Sequence, residues 1–354
     1  MSPDLSYEPE PRNLGEHATE ILPDLDLLAE QLRADTGDAL PKLAQLWARI
    51  GPDVFGPGGE IPPDLERERE EILGFARHAV EALQQCRGME IRLMPEEEIG
   101  LLALLAFTSR PVIPVQDGRL ATPPPAWEDL GRLHRTEIET VLRSVGRIET
   151  SGHPALSWAG TAWVAAPGIV LTSRHAVQRF AAPDGGKRWR VQEGLTVRID
   201  FGERRSSDVP SDAEIRVHPV YDLAVVPVAR AGLPAPLSIL ADGGKVRAGR
   251  RIYVAGHPES DDQTESLLRY RLFQWIAGVK CLLPGQVLQV LPEASTFLHD
   301  SSTLGGSSGS PVVDLETGKV IGLQGAGVQG PAHRAVALWR LADGPLLREA
   351  GVRL

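Results

Sequence analysis

The 354-residue chain holds only two cysteines, Cys86 and Cys281, and they lie far apart in the sequence. Two thiols do not build the disulfide framework typical of small secreted domains. The N-terminus also lacks a basic stretch followed by an apolar core, so it does not resemble a secretory signal. No apolar run approaches the roughly 18 residues that a membrane-spanning helix needs. Together these absences predict a cytoplasmic protein that has no membrane partner.

Positive charge is scarce as well, because 37 Lys and Arg residues oppose 47 Asp and Glu residues, for a net charge of −10. Residues 1–100 account for the imbalance, with 9 basic and 22 acidic side chains. Such a balance does not favour nucleic-acid binding, and an acidic excess is typical of a solvated helical surface. The nine histidines show no spacing typical of metal ligands. We therefore expect no nucleic-acid partner, no metal and no cofactor.

The most informative motif is the run G-S-S-G-S-P at 306–311, which leads into an apolar segment. Glycine permits a tight turn in which consecutive N–H groups point at one developing oxyanion. Ser308 lies at the centre of this turn, where its hydroxyl can act as a nucleophile if a base accepts its proton. Clusters of glycine and serine are also common in ordinary loops. The motif therefore needs a base elsewhere in the chain.

A histidine and an aspartate upstream supply that base and its orienting group. Two β-branched runs joined by Pro167-Gly168 predict a hairpin, and His175 directly follows its second strand. Asp222 opens an apolar strand, where a carboxylate is costly unless it is paired. Each residue alone has a plainer interpretation, as a strand-end polar group or a turn residue. His175, Asp222 and Ser308 nevertheless follow one another in the chain order of the chymotrypsin-like His-Asp-Ser triad.

Five short motifs extend this agreement over about the last 200 residues. They are A-G-T-A-W-V (159–164), L-T-S-R-H-A-V (171–177), D-L-A-V-V (222–226), G-S-S-G-S-P (306–311) and V-I-G-L (320–323). With this order and spacing, the region resembles the trypsin-like serine peptidases, and among them the bacterial branch that includes the V8 glutamyl endopeptidases. The resemblance implies a mainly β protein with a chymotrypsin-like double Greek-key β-barrel. It does not cover the first 140 residues, where helical periodicity predicts a small all-α N-terminal domain.

The resemblance also implies a role for each residue of the motifs. Ser308 attacks the peptide carbonyl, His175 takes its proton, and Asp222 fixes the imidazole tautomer. The backbone N–H groups of Gly306 and Ser308 form the oxyanion hole. Ser307 stands where the digestive enzymes carry the aspartate that pairs with a new N-terminus after zymogen cleavage. We therefore expect that activation does not use that ion pair.

The S1 subsite follows from the same alignment. Ser302 stands where trypsin has an aspartate, so a preference for Arg or Lys is not expected. Gln324 stands where the V8-like enzymes have a histidine, and glutamine carries no positive charge. A neutral polar or small P1 residue is therefore as well supported as glutamate. The residues assigned to S1 are Ser302, Thr303, Gln324, Gly325 and Gly327.

Three segments are predicted along the chain. Residues 1–108 form a helical regulatory or adaptor domain, because apolar residues recur at helical spacing near 40–50, 65–86 and 96–106. Residues 109–144 form a Pro-rich linker followed by a helix over 127–145. Residues 145–354 form the protease domain. Its predicted parts are a first barrel over about 145–235, a second over about 236–342, and a closing helix over 343–352.

The sequence thus predicts a cytoplasmic bacterial serine endopeptidase that cleaves protein or peptide substrates. Its N-terminal helices would bind a regulatory protein partner, and by analogy the protein would be an effector in signalling or defence. Because a zymogen device is missing, the acidic helices or residues 109–126 could cover the cleft until they are released. The alternative is a catalytically silent scaffold on a protease fold. Such proteins usually lose a triad residue, and this chain has all three.

Overall fold

The computed structural model describes most of the chain beyond residue 62. The described residues are 63–85, 94, 97, 100, 110–116, 118–123, 127–185, 188–258, 279–303, 306–325 and 333–352. Helix α1, Pro63–Gln85, matches the long helix predicted from the apolar pattern that begins near residue 65. The helix predicted at 40–50 lies outside the described residues, as does that at 96–106 apart from two single positions. No described helix has the length and apolar character that crossing a bilayer requires.

The first sheet has nine antiparallel strands, built from short β-branched runs between Gly- and Pro-rich turns. The predicted hairpin at Pro167-Gly168 is confirmed, since Val164 pairs with Val170 across it and Gly168 adopts a φ of 80°. The strands are β3 Val145–Ser151, β4 Trp158–Ala166, β5 Ile169–Thr172, β6 Ala181–Pro183, β7 Arg188–Val191, β8 Thr196–Gly202, β9 Arg205–Val209, β10 Ile215–Val217 and β11 Ala224–Pro227. Their order in the sheet is β6-β7-β10-β11-β5-β4-β3-β8-β9.

A six-stranded antiparallel barrel follows. It closes because its first strand pairs with both the second and the fourth. Tyr253, Phe297 and Leu323 on its strands are buried. The prediction of a mainly β protein is confirmed by this barrel and the nine-stranded sheet. The barrel strands are β12 Arg251–Gly256, β13 Cys281–Leu291, β14 Thr296–His299, β15 Pro311–Asp314, β16 Val320–Gln324 and β17 His333–Ala337.

The segment predicted to be helical over 127–145 is mostly helical, but it is interrupted and ends earlier. The structure has two helices, α2 Glu128–Arg132 and α3 Arg135–Arg143, and Val145 already belongs to β3. The first helix ends because the N–H groups of Leu133 and His134 both donate to the Asp129 carbonyl. Pairing of Val145 with Trp163 then commits the next residues to the sheet. The remaining helices are α4 Arg174–Gln178, α5 Leu338–Leu341 and α6 Pro345–Glu349, with a 3-10 turn at Gly243–Lys245.

Residues 110–120 pack onto the second barrel. Strand β1, Ile113–Gln116, pairs with β13, and β2, Arg119–Leu120, pairs with β1. The Arg110 guanidinium lies 2.5 Å from Asp300 Oδ2, and the two side chains are only 11% and 3% exposed. Buried charges of this kind are stable only when they are paired. The segment is therefore an integral part of the barrel wall.

Replacement of Arg110 by methionine should destabilise the protein by about 3–5 kcal/mol, because it leaves the Asp300 carboxylate buried without its partner. Methionine keeps much of the aliphatic volume of arginine, so the loss of stability measures the effect of removing the positive charge. Arg216→Met is the matched control, since Arg216 pairs with Glu349 at the surface. That change should cost less than about 1 kcal/mol. Denaturant unfolding measures both, and equal losses would contradict the integral role of the segment.

Candidate active site

His175 lies in the first turn of helix α4, directly after β5. Ser173 caps this helix by accepting a hydrogen bond from the Ala176 N–H at 3.3 Å. A serine at the N-cap satisfies one of the free N–H groups of the first turn and fixes the direction in which the helix starts. Ala176 and Val177 of the same helix are buried and anchor it. His175 is therefore held at a defined point, and its side chain stays half-buried.

Asp222 lies in the turn that precedes β11, and His218 shapes that turn. The His218 Nδ1 accepts hydrogen bonds from the Val220 N–H at 3.2 Å and the Tyr221 N–H at 3.0 Å. The His218 N–H donates to the Leu223 carbonyl at 2.8 Å, which closes the loop. Burial and the nearby Arg174 charge lower the pKa of His218, which keeps Nδ1 available as an acceptor. No sequence motif pointed to this contribution of His218 to the turn.

The structure brings His175 and Asp222 into direct contact through two hydrogen bonds. His175 Nδ1 lies 2.6 Å from Asp222 Oδ2, and the His175 backbone N–H donates to Oδ1 at 3.0 Å. Because a carboxylate only accepts hydrogen bonds, Nδ1 carries the proton and Nε2 is left as the basic nitrogen. The carboxylate thus fixes both the position and the tautomer of the imidazole.

Ser308 lies beside this pair on the loop that leads into β15. A Cβ placed on Gly160 would lie 3.1 Å from the Ser308 carbonyl and 3.2 Å from the Cβ of Ala176, the neighbour of His175. On the other side, the Gly309 N–H donates to the Gln324 carbonyl at 2.8 Å. A Cβ placed on the next residue, Gly325, would lie 3.7 Å from Asp222 Oδ2. The serine loop therefore lies close to the segments that carry both members of the pair.

Two glycines on this loop require their left-handed conformation. Gly306 has a φ of 72° and Gly309 a φ of 89°. A Cβ on Gly309 would lie 2.2 Å from the Thr161 carbonyl, so no other residue fits there. The Gly306 and Ser308 N–H groups make no hydrogen bond to any other described part of the chain. Within the described residues, both N–H groups are therefore available as donors.

The predicted S1 residues lie on two neighbouring segments of the barrel. The Ser302 hydroxyl donates to the Arg110 carbonyl at 2.8 Å, so it is already engaged. The Thr303 hydroxyl is buried and lacks a hydrogen-bond partner among the residues that the structure describes. Gly325 follows β16, whereas Gly327 lies outside the described residues. Of the two hydroxyls, only that of Thr303 is left to contact a substrate.

The Gln324 side chain is engaged at both ends. Its Oε1 lies 2.7 Å from His299 Nε2, and its Nε2 donates to the Gly325 carbonyl at 3.2 Å. Since Oε1 only accepts, His299 carries its proton on Nε2, and its Nδ1 accepts from the Ser301 N–H at 3.3 Å. Burial lowers the pKa of His299 to about 4, so the ring is neutral near pH 7. His299 itself is fully buried at the end of β14.

A cavity of about 290 Å³ lies elsewhere, between the nine-stranded sheet and the barrel. Lys280 spans this junction and donates to the carbonyls of Leu142 at 2.9 Å and Phe201 at 2.8 Å. Burial lowers the pKa of Lys280 to about 8. Asp200 and Glu203 also line the cavity and favour the charged ammonium. These contacts tie the two β structures together, so we assign Lys280 a structural role.

Comparison with known proteins gives one family match and several similar solved structures. Residues 160–323 match the family model described as "Trypsin-like peptidase domain". The active form of the Rv3671c protease from M. tuberculosis is similar at 20% identity and a TM-score of 0.45, covering 70% of this chain and 94% of that chain. The serine endoprotease from Yersinia pestis is similar at 15% identity and a TM-score of 0.41, covering 60% and 66%. No curated protein matches the chain.

The family match spans strands β4 to β16 and includes His175, Asp222 and Ser308. This part of the chain is therefore similar to the trypsin-like peptidase domain. The expectation of an enzyme of the serine peptidase class is confirmed, and proteins or peptides are the substrates that this class implies.

Proposed function

We propose that the protein is a serine endopeptidase with a chymotrypsin-like double Greek-key fold, related to the V8-like bacterial branch. His175, Asp222 and Ser308 form its catalytic triad. The observation that carries this proposal is the pair of hydrogen bonds that join His175 to both oxygens of Asp222. This arrangement leaves His175 Nε2 as a base beside the Ser308 loop.

In the proposed reaction, Ser308 Oγ attacks the carbonyl carbon of the scissile peptide bond while its proton passes to His175 Nε2. The imidazolium is stabilised by Asp222, which remains ionised. His175 then gives this proton to the departing amine, and an acyl-enzyme remains on Ser308. Water next attacks the ester, again with His175 as the base, and the carboxylic acid product leaves the regenerated serine.

The Gly306 and Ser308 N–H groups would stabilise the oxyanion that forms at each tetrahedral stage. Gly306 contributes only through its backbone, and its left-handed φ supports the turn that presents the two donors. One such donor typically contributes about 2.7–4 kcal/mol of transition-state stabilisation in related chemistry.

The S1 subsite would accept a small or neutral polar P1 side chain. Three observations support this preference over glutamate or a basic residue. The Gln324 amide is held by His299 and Gly325, the Asp300 carboxylate is held by Arg110, and the Thr303 hydroxyl is left without a partner in the described part of the chain. Cleavage of a peptide library would measure the P1 preference, and dominant cleavage after Glu, Lys or Arg would contradict it.

We also propose a cytoplasmic location and regulation by residues 1–108 through a protein partner, as in a signalling or defence effector. The scarcity of cysteine and the acidic, helix-patterned N-terminal part support this idea. Removal of residues 1–108, which leaves β1 in place, should raise activity if that part covers the cleft. Unchanged or lower activity would reject that form of inhibition.

A fluorophosphonate probe tests the main proposal, since it reacts with a serine that has an active base and a formed oxyanion hole. We expect labelling of the folded full-length chain at a single site, and mass spectrometry of the digest should locate it on Ser308. Heat-unfolded protein is the control and should not react. Folded protein that fails to react, or that reacts at another serine, would contradict the proposal.

A further inference from the structure

Thr161 in strand β4 is fully buried and contacts the serine loop twice. Its backbone N–H donates to the Ser308 carbonyl at 3.0 Å. Its hydroxyl donates to the Gly306 carbonyl at 2.8 Å and accepts the His257 N–H at 3.0 Å. One residue of the nine-stranded sheet thus holds both residues whose N–H groups would bind the oxyanion.

The Thr161 hydroxyl matters because its hydrogen bond restrains a glycine, Gly306. Glycine has access to more backbone conformations than any other residue, so the Gly306 peptide needs an external contact to keep one orientation. The Gly306 carbonyl shares its peptide plane with the Ser307 N–H, so a bond to this carbonyl sets how the chain runs from Gly306 into Ser308. The Thr161 hydroxyl supplies that contact.

The hydrogen-bonding capacity of Thr161 is used on both sides. A hydroxyl has one proton to donate, and here it goes to Gly306, while a lone pair accepts from His257. A valine at this position would keep the shape of the side chain. It would leave the Gly306 carbonyl and the His257 N–H buried without a partner, which proteins avoid.

We propose that Thr161 is a positioning residue that holds the oxyanion loop in its competent conformation. This inference rests on the proposed serine peptidase function. An oxyanion exists only after attack, so a displaced loop weakens transition-state binding more than substrate binding. The expected signature is a lower kcat with little change in KM.

The test compares Thr161→Val, Thr161→Ser and Thr150→Val with the wild type. Thr150 is a buried threonine on β3 whose hydroxyl donates to the Leu156 carbonyl at 2.8 Å. Thr150→Val therefore removes a similar hydrogen bond that does not involve the serine loop. We expect Thr161→Val to lower kcat by about 10- to 100-fold, less than loss of a whole oxyanion donor. Thr161→Ser should restore most of kcat, and Thr150→Val should keep it.

Hydrogen exchange of the 306–310 peptide, followed by mass spectrometry, supplies a readout that does not depend on turnover. The amides of Gly309 and Ser310 are hydrogen-bonded, so they should exchange faster in Thr161→Val and at the wild-type rate in Thr150→Val. Unchanged exchange, or unchanged kcat in an active enzyme, would overturn the role of Thr161. A wild type that neither cleaves peptides nor reacts with the probe would refute the proposed function, and exchange would still decide the role of Thr161.

Discussion

Ser308→Ala should lower kcat by about six orders of magnitude, the scale seen when the nucleophile of a Ser-His-Asp enzyme is removed. Alanine keeps the backbone of the loop and both proposed oxyanion donors, so folding and substrate binding should change little. The loss therefore reports the covalent step alone. Kinetics on a peptide substrate, with thermal unfolding of the same samples, measures both quantities.

Ser310→Ala is the matched control for this variant. Ser310 lies two residues further along the same loop and is fully buried. Its hydroxyl has no partner among the residues that the structure describes. Its removal should leave kcat within about threefold of the wild-type value, because no hydrogen bond is broken. Turnover by Ser308→Ala comparable to wild type, or equal losses in the two variants, would exclude Ser308 as the nucleophile.

Asp222→Asn should lower kcat by about 10⁴-fold, as loss of the triad carboxylate does elsewhere. The asparagine side chain has nearly the same shape, but its amide can donate a proton toward His175 Nδ1. The imidazole then places its own proton on Nε2, where it no longer serves as a base for Ser308. The hydrogen bond from the His175 N–H to the side-chain oxygen can be kept, so the fold should remain intact.

Asp212→Asn, on the exposed turn before β10, controls for the loss of one negative charge. It should retain wild-type kcat. A second readout comes from the probe, which should label Asp222→Asn far more slowly than the wild type while the thermal midpoint stays close. An Asp222→Asn enzyme with near-normal kcat would show that His175 is oriented by another group.

Much of the fold could be predicted from the sequence because its information is local. The β-branched runs and the Pro167-Gly168 turn have short-range signatures, and these strands are present. The pairing of His175 with Asp222 was also expected, since motif order implied it before any distance was known. The proximity of Ser308 to that pair is likewise consistent with the motif order. The domain boundaries and the roles of these residues remain predictions.

What could not be predicted depends on contacts between distant parts of the chain. Arg110 and Asp300 are 190 residues apart, and neither has a motif that names the other. The neutral tautomer of His299 is another example. It is set by hydrogen bonds to Gln324 and Ser301, and the contact with Gln324 exists only in the folded chain. Thr161 lay inside a recognised motif. Its hydroxyl gave no signal because threonine is also an ordinary strand residue.

Strand β17, which pairs on one side with β14 and on the other with β16, has a consequence for how the molecule can be divided. Residues 160–323 contain His175, Asp222 and Ser308 but exclude β17, β3 and the β1 segment. A fragment with those limits would have two unsealed strand edges where β17 belongs, and open edges of this kind recruit other chains into aggregates. We therefore expect a stable fragment to extend from before Arg110 to beyond Ala337, which is longer than the stretch that the family model matches.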